Sequence, residues 1–282
     1  MTANPTPTTS GSPSSYPRVG RIGSISIVLP AYDEAANLAQ AVHAAIGALD
    51  DRGGHGEVIV VDDGSRDGTR GIAERLGAGD RRVRVVPHRE NRGYGAALRS
   101  GIGAARCEHI FFTDADLQFD LREIGALETW ATTHDIVVGY RRARRDDWVR
   151  RLNAWGWNRV IDGLFGVGVQ DVDCAFKLFH RRVFEGMGIR SLGAFVNSEI
   201  LVRAAASGFR IKEVPVSHHP RRAGVATGGQ ARVIARAWTE LAGLYPELKE
   251  AQRRGGPRVT PSAPPTPRPA PDPSPGGPRS GW

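Results

Sequence analysis

The sequence predicts an α/β fold, a single domain built on a twisted, largely parallel sheet with helices on both faces. Strand-like apolar runs alternate with helix-like patterns along the middle of the chain, and this alternation is typical of such sheets. Residues 57–62 are apolar on both faces, as expected of an interior parallel strand covered by helices on each side. A proline, Pro30, closes the first run, where it cannot donate to a strand ladder.

Each element follows from a local pattern. The predicted strands are residues 24–30, 57–62, 83–87, 109–113, 135–139 and 211–216. The predicted helices include residues 32–49 and 95–105, one with Asp67 as its N-cap, and one that opens with the capping-box pattern Asp120-Leu-Arg-Glu123.

The two ends of the chain differ in composition from its middle. Residues 1–22 and 255–282 are rich in Pro with Ser, Thr, Gly or Arg and have little to bury, which predicts disordered tails. Between them, residues 23–229 form the predicted domain, and residues 230–254 form an amphipathic C-terminal helix region.

Composition restricts the classes of function. The chain has 282 residues and a formal net charge of +8, which favours anionic partners such as nucleotide diphosphates, nucleic acid or an acidic membrane surface. Two cysteines argue against a disulfide framework and suit a reducing compartment. No apolar run approaches the ~20 residues of a membrane span, and the N-terminus lacks a signal-peptide pattern. We therefore expect a cytoplasmic protein, soluble or peripheral to the membrane.

Acidic side chains follow three of the predicted strands. They are Asp33 and Glu34, Asp62 and Asp63, and Asp114 and Asp116. Because the carboxyl ends of parallel strands meet at one edge of a sheet, we expect one common site there. Carboxylates at this spacing suit Mg²⁺ or Mn²⁺ held together with a diphosphate, and Gln118 adds a neutral oxygen. Taken alone, Asp-x-Asp also fits a solvated turn, and residues 62–65 fit a tight turn with a helix cap.

Four motifs in a fixed order make this pattern more specific. They are Pro30-Ala-Tyr-Asp-Glu34, Val61-Asp-Asp-Gly-Ser65, Asn91-Arg-Gly-Tyr-Gly95 and Asp114-Ala-Asp-Leu-Gln118. In this order and spacing, residues 24–229 resemble the family 2 glycosyltransferases of GT-A fold. More narrowly, they resemble dolichol-phosphate mannose synthases and related polyprenol-phosphate sugar transferases. The resemblance implies metal-dependent transfer of a sugar from a nucleotide diphosphate to a lipid phosphate, with inversion.

The resemblance also implies roles for single residues. The nucleotide-sugar contacts it implies are Pro30, Tyr32, Glu34, Asp62 and Asp114. The metal ligands it implies are Asp114, Asp116 and Gln118, with Asp116 also counted as catalytic. Asp171 or Asp173, in the acidic segment before a Phe-Lys strand, is assigned to the sugar or acceptor side, and both are counted as catalytic candidates, although either could simply bind a neighbouring arginine. Asp33 departs from the family, which more often has Asn there.

The second half of the sequence bears on the acceptor. Many family 2 enzymes that glycosylate a hydroxyl have a Glu-Asp base and a Gln-x-x-Arg-Trp segment; this sequence has neither, and Ser198-Glu199-Ile200 lacks the Asp. A lipid phosphate needs no base because its oxygen is already anionic. Arginine forks would neutralise the crowded phosphates, so we assign Arg141 to catalysis and Arg221 to the nucleotide sugar. A solvated surface is the alternative for each. Gly224, Gly228 and Gly229 suit a lid that closes on the nucleotide.

Two apolar stripes suggest contact with a membrane surface. They are Trp148, Val149, Leu152 and Trp155, and Ile234, Trp238, Leu241 and Tyr245, the second ending at Pro246, which should end or kink the helix. The alternative is that both stripes pack on the domain. A polyprenyl phosphate acceptor would place the chain at the inner face of the membrane, alone or beside a separate membrane subunit.

Three other functions remain open at this stage. A family 2 glycosyltransferase with a hydroxyl acceptor in a cell-wall or surface glycan shares the same fold, and a non-catalytic nucleotide-sugar binder shares the same acidic motifs. A nucleic-acid-binding module needs a basic face with aromatic side chains, whereas the arginines here follow strand ends. We therefore expect no nucleic-acid partner.

Overall fold

The computed structural model describes residues 22–142, 148–221, 223 and 230–255. The strands are β1 Ile25–Ala31, β2 Gly56–Asp62, β3 Val83–Pro87, β4 His109–Phe112, β5 Ile136–Arg141, β6 Lys177–His180 and β7 Ile211–Val216. The helices are α1 Leu38–Asp51, α2 Thr69–Gly79, α3 Tyr94–Ala104, α4 Ile124–Ala131, α5 Trp148–Phe165, α6 Val196–Ala206 and α7 Ala231–Arg254. All six predicted strands are present. The lid glycines, Gly224, Gly228 and Gly229, lie outside the described residues.

The strands form one sheet in the order β3-β2-β1-β4-β6-β5-β7. All neighbouring pairs are parallel except those of β6, which runs antiparallel to β4 and β5. The carboxyl ends of β1, β2, β4, β5 and β7 therefore lie at one edge, here called the carboxyl edge. Because β6 runs the other way, its first residue, Lys177, also lies at this edge, opposite Phe112.

Helices cover both faces of the sheet, as predicted. Alternate residues of β1 point to opposite sides, so that Ile27 packs in a core with Leu38 of α1 and Val28 packs in a second core with Leu98 of α3. The second core also contains Leu248 of α7, which is fully buried. A sheet covered on both faces leaves its edges for function, which positions the candidate site at the carboxyl edge.

Two helix starts differ from the prediction. The first helix begins at Leu38, not at residue 32, because Asp33 adopts a left-handed backbone (φ 53°) and a turn follows it. Helix α2 begins at Thr69 after Gly68 as N-cap, although Asp67 does accept a hydrogen bond of 2.9 Å from the Thr69 N–H. Short polar side chains compete with the backbone for hydrogen bonds in such turns, which displaces the helix start.

The capping box is half correct. Asp120 caps a short 3-10 helix by accepting from the Arg122 N–H at 3.0 Å. Glu123 accepts instead from the Ser217 N–H at 2.8 Å, beyond β7. A tertiary hydrogen bond therefore replaces the predicted local one.

Pro246 does not end α7, which continues to Arg254. Tertiary contacts hold the segment beyond the proline: Leu248 is buried, Glu247 pairs with Arg203 at 2.8 Å, and Lys249 donates to the Leu164 carbonyl. These contacts offset the backbone hydrogen bond that a proline removes from a helix.

Helices α5 and α7 pack side by side, and the exposed apolar side chains that the two helices carry are together called the α5–α7 face. Trp157 contacts Trp238 edge to face with centroids 5.1 Å apart, and Phe165 contacts Tyr245 at 5.9 Å. The exposed apolar side chains of this face are Leu152, Trp155, Trp238 and Tyr245. The other predicted stripe residues divide, since Leu241 is buried and the side chains of Trp148 and Val149 lie outside the description. Among the described residues, none of the helices combines the length and apolar character needed to cross a bilayer.

The packing of α7 predicts the effect of truncating Leu248. Leu248→Ala leaves a cavity in the second core, and we expect it to lower the free energy of unfolding by about 2–5 kcal/mol in urea denaturation. Leu152→Ala makes the same chemical change at a side chain that is 55% exposed, and we expect a change within about 0.5 kcal/mol. Equal losses in the two variants would contradict the packing of α7 described above.

Candidate active site

The carboxyl edge brings together the loops that follow β1, β4 and β7. Arg221, beyond β7, pairs through Nη2 with Glu34 beyond β1, and its Nη1 lies 3.7 Å from Asp116 Oδ2 beyond β4. Glu34 also accepts a hydrogen bond of 2.7 Å from Asn37 Nδ2. Three sequence-predicted site residues, Glu34, Asp116 and Arg221, therefore lie together, and Arg221 is an internal cation shared by carboxylates of two loops.

Burial perturbs both carboxylates of the Asp-x-Asp motif. It raises the pKa of Asp114 to about 7, and the charge of Asp116 is the next cause. Burial also raises the pKa of Asp116, although the Gln118 N–H and the Arg221 charge oppose the rise. Within the described residues, Oδ1 of Asp114 is buried and has no hydrogen-bond partner. An unpartnered hard oxygen beside a second carboxylate fits a divalent cation.

Protein side chains alone do not complete a coordination shell here. In the part of the chain that the structure describes, no group of three or more His, Cys, Asp or Glu side chains is arranged to hold a metal ion. Mg²⁺ sites often use one or two carboxylates together with substrate phosphates. Asp114 and Asp116 therefore suit a metal ion that is shared with a diphosphate.

The backbone after Asp116 links two loops of the site. Leu117 has φ 62°, in the left-handed region that a bulky residue rarely adopts. Beside it, the Gln118 carbonyl accepts from the His219 N–H at 2.8 Å, and Gln118 Nε2 donates to the His219 carbonyl at 3.2 Å. This double link ties the loop after β4 to the loop after β7. The role of Gln118 as a metal ligand stays a prediction.

The two acids after β2 have different surroundings. One oxygen of Asp62 caps the following turn, and the other is buried without a partner among the described residues, so it offers an acceptor for a ligand hydroxyl. Asp63 accepts from the backbone N–H groups of Arg92 and Gly93 at 3.0 and 2.8 Å, and it lies 2.6 Å from His88 Nδ1. Asp63 therefore shapes the neighbouring loop.

The loop after β1 exposes one aromatic side chain. Pro30 is buried within β1 opposite Val61, whereas Tyr32, beyond the strand, is 38% exposed. Asp33 accepts from the Arg66 N–H at 2.7 Å and thus anchors the loop after β2. Tyr32 is therefore accessible to a ligand, while Asp33 has a structural contact.

Two residues predicted to be catalytic pair with each other. Arg141 Nε and Nη2 donate to the two carboxylate oxygens of Asp171, each at 2.7 Å. Asp171 is buried, and Asp173 is partly buried two residues further on. This bidentate pair matches the alternative that the acid binds a neighbouring arginine, and the catalytic roles of Arg141, Asp171 and Asp173 stay predictions.

Sequence reasoning gave no role to three polar residues beneath the site, which are Lys177, Asn197 and Tyr94. Lys177 is fully buried, and its Nζ donates to the Val172 carbonyl and to Asn197 Oδ1, each at 3.0 Å. Burial lowers its pKa. The Tyr94 hydroxyl is also buried, next to Asp114 and Asn197. The sequence does contain one indication of this cluster, because Lys177 is a charged residue at the start of an otherwise apolar strand.

A family model decides the relationship of the chain to known proteins. The model of glycosyl transferase family 2 matches residues 26–188, a span that contains all four motifs described in the sequence. The chain belongs to glycosyl transferase family 2. The residues that the model does not cover include β7, α7 and Arg221.

Curated relatives and solved structures agree with this family. The chain is 32% identical over 207 residues to glycosyltransferase AglD of Haloferax volcanii, covering 70% of this chain and 33% of AglD. It is 30% identical over 215 residues to the dodecaprenyl-phosphate galacturonate synthase of Rhizobium johnstonii, covering 74% and 63%. The chain thus spans less than two thirds of the length of these two relatives.

A solved structure shares the fold. Glucosyl-3-phosphoglycerate synthase from Mycobacterium tuberculosis, in complex with Mn²⁺, UDP-glucose and phosphoglyceric acid, superposes with a TM-score of 0.64 at 22% identity, covering 80% of each chain. The predicted Rossmann-like GT-A architecture is therefore confirmed. At this identity the likeness concerns the fold alone.

In this family 2 chain, Glu199 is occupied by structural contacts. It is fully buried, accepts from the backbone N–H groups of Arg190 and Ser191, and pairs with Arg203 at 2.8 Å. A carboxylate with these partners is not available to deprotonate an acceptor.

The raised pKa of Asp114 predicts a dependence of stability on pH. The folded pKa lies above the unfolded value near 3.8, so ionisation of Asp114 costs no stability below about pH 4 and its full cost above about pH 7. We expect metal-free Asp114→Asn to unfold at a higher temperature than the wild type at pH 8. Between pH 8 and pH 5 the corresponding advantage in the free energy of unfolding should shrink by about 2–3 kcal/mol. A stability gain in Asp114→Asn that does not change with pH would contradict the raised pKa of Asp114.

Proposed function

We propose that this chain is an inverting glycosyltransferase that moves a sugar from a nucleotide diphosphate sugar to a polyprenyl or dolichyl phosphate. The donor would be GDP-mannose or a UDP-hexose, and the reaction would depend on Mg²⁺ or Mn²⁺. The main support is the acid cluster at the carboxyl edge, in which Arg221 pairs with Glu34 and Asp116, and the charges of Asp116 and Glu34 act on Asp114. Further support comes from the relative whose name specifies dodecaprenyl phosphate.

Each loop of the edge has a role in binding the donor. Asp62 accepts a hydroxyl of the nucleoside through its unpartnered oxygen, and the exposed Tyr32 packs against the base. Asp114 and Asp116 hold the cation, which supplies positive charge to the leaving diphosphate. Arg221 exchanges its carboxylate partners for a phosphate oxygen as the donor enters, since a guanidinium pairs well with phosphate.

The acceptor phosphate is the nucleophile. One of its oxygens forms the new bond to the anomeric carbon from the side opposite the nucleotide, and the bond from that carbon to the diphosphate breaks, with its electron pair leaving on the nucleoside diphosphate. No proton moves in this step, and the burial of Glu199 in structural contacts agrees with a reaction that needs no base. The Arg141–Asp171 pair, at the end of β5, orients the acceptor side of the cleft.

The acceptor lipid requires contact with a membrane surface, and the α5–α7 face supports this. Leu152 and Trp155 are 55% and 58% exposed, Trp238 is 46% exposed, and the Arg159 guanidinium lies 5.6 Å from the Trp155 ring centroid. Aromatic and basic side chains together suit the interface of an anionic bilayer. The chain would work peripherally at the inner, cytoplasmic face of the membrane, alone or with a separate membrane subunit, and without nucleic acid.

A product assay tests the proposal most directly. Purified protein is incubated with Mn²⁺, polyprenyl phosphate and a panel of radiolabelled GDP- and UDP-sugars, and we expect label to enter the organic phase as a lipid-linked sugar with one donor. Label on a water-soluble glycan instead would favour the hydroxyl-acceptor alternative. Donor binding without turnover of any acceptor would favour a non-catalytic binder.

The acid cluster predicts the result of removing a metal-binding carboxylate. Asp116→Asn and Asp114→Ala should reduce transfer by at least about a hundredfold, because charge on the leaving group is no longer stabilised. The far-ultraviolet circular dichroism spectrum should not change. Asp120→Asn is the matched control, since this acid follows the same strand but caps a 3-10 helix and pairs with the exposed Arg122. Unchanged turnover in both site variants would refute the metal assignment.

The α5–α7 face predicts a charge-dependent affinity for vesicles. Arg159→Glu and Trp155→Ala should each weaken cosedimentation with phosphatidylglycerol vesicles, because they remove a favourable charge or an exposed aromatic ring that would insert into the bilayer interface. Arg122→Glu makes the same charge change near the opposite helix layer, where the side chain is 80% exposed, and it should bind as the wild type does. Equal losses in Arg159→Glu and Arg122→Glu would indicate attraction by net charge alone.

A further inference from the structure

A loop before α6 has an unusual set of hydrogen-bond partners. Four consecutive backbone N–H groups, those of residues 190–193, donate to only two carboxylates. Glu199 on α6 accepts from Arg190 at 3.0 Å and from Ser191 at 2.8 Å. Glu240 on α7 accepts from Leu192 at 3.1 Å and from Gly193 at 2.8 Å. A carboxylate loses hydration when it is buried, so such contacts hold the loop firmly.

The opposite side of this loop holds the start of α3. The Leu192 carbonyl accepts from the Gly95 N–H at 2.9 Å. A Cβ atom on Gly93 would lie 2.3 Å from the Leu192 oxygen, and one on Gly95 would lie 2.4 Å from the Ser191 oxygen. The two backbones therefore approach as closely as glycine allows. On the other side, Asp63 accepts a hydrogen bond from the Gly93 N–H.

Tyr94, the first residue of α3, lies between Gly93, which Asp63 holds, and Gly95, which the Leu192 carbonyl holds. Its ring is partly buried in the second core, and its hydroxyl lies next to the carboxylate of Asp114. A shift of the loop at residues 190–193 would move the start of α3, and with it the side chain that packs against Asp114. Glu240 therefore influences Asp114 indirectly: it holds the backbone of residues 192 and 193, that loop holds the start of α3, and the Tyr94 side chain of α3 lies next to Asp114.

We propose that Glu240 is a positioning residue for the metal-binding edge, an inference that rests on the proposed function. The residue lies on α7, outside the span that the family model matches. Its Oε1 takes all of its described hydrogen bonds, including one of 3.2 Å from Arg236 Nε, while Oε2 is buried without a described partner. The geometry thus requires one acceptor oxygen at this place and does not require the second.

This asymmetry distinguishes two substitutions. Glu240→Gln keeps an acceptor oxygen at the position of Oε1. Its amide nitrogen takes the position of Oε2, where no hydrogen-bond donor of the described residues is present to clash with it, so the loop should stay in place. Glu240→Ala removes the acceptor and leaves two backbone N–H groups without a partner. Glu247→Ala is the matched control, because it makes the same change on the same helix and removes side-chain ion pairs with Arg190 and Arg203 but no backbone contact.

The test measures the affinity for Mn²⁺, by electron paramagnetic resonance of the free ion, in the presence of UDP and separately of GDP. We expect Glu240→Ala to raise the Mn²⁺ dissociation constant by about 10-fold or more, the range seen when a residue supporting a metal ligand is lost. Glu240→Gln and Glu247→Ala should stay within about threefold of the wild type, under the lower limit of that range. Amide hydrogen exchange at residues 190–195 should accelerate in Glu240→Ala alone.

Three results would overturn the inference. Faster exchange in Glu240→Ala with unchanged Mn²⁺ affinity would show that the loop does not act on the site. Equal losses in Glu240→Ala and Glu247→Ala would show a general loss of stability. If the wild-type protein fails to bind Mn²⁺ in the presence of either UDP or GDP, the proposed function itself is refuted, and the inference is refuted with it.

Discussion

Crowding of carboxylates at the ends of parallel strands is the constraint on which this structure depends. Burial and the charge of Asp116 raise the pKa of Asp114 to about 7, and the Glu34 charge acts in the same direction. The Lys177 charge lowers the pKa of Asp114 and the Arg221 charge lowers the pKa of Asp116, so each offsets part of this repulsion. An arrangement that costs folding stability persists when function requires it, and under the proposed function the requirement is a cation that arrives with its ligand.

The surrounding fold holds these charges in place by contacts distant in sequence. The sheet order places β1 between β2 and β4, so their three acidic loops are neighbours. Gln118 ties the loop after β4 to His219, and Asp63 shapes the loop before α3. Helix α7, through Glu240, completes the support from outside the matched family region.

The sequence predicted the fold class, every strand except β6 and the acids at the carboxyl edge, because hydrophobic periodicity and strand-end acids are local signals. It did not predict that α7 passes through Pro246, since the buried Leu248 and the ion pairs of Glu247 are tertiary contacts. For the same reason it gave no role to Lys177, whose partners come from a turn and from α6. It predicted Arg141 and Asp171 separately, and only the structure shows them as a pair.

Crystals grown with MnCl₂ and either UDP or GDP, measured near the manganese absorption edge, test the central claim most directly. The account predicts one strong anomalous peak at about 2.1 Å from carboxylate oxygens of Asp114 or Asp116, shared with the diphosphate, and a guanidinium of Arg221 that has left Glu34. A manganese peak elsewhere on the molecule, or a bound nucleotide with Arg221 still paired to Glu34 and no metal beside the two aspartates, would contradict it.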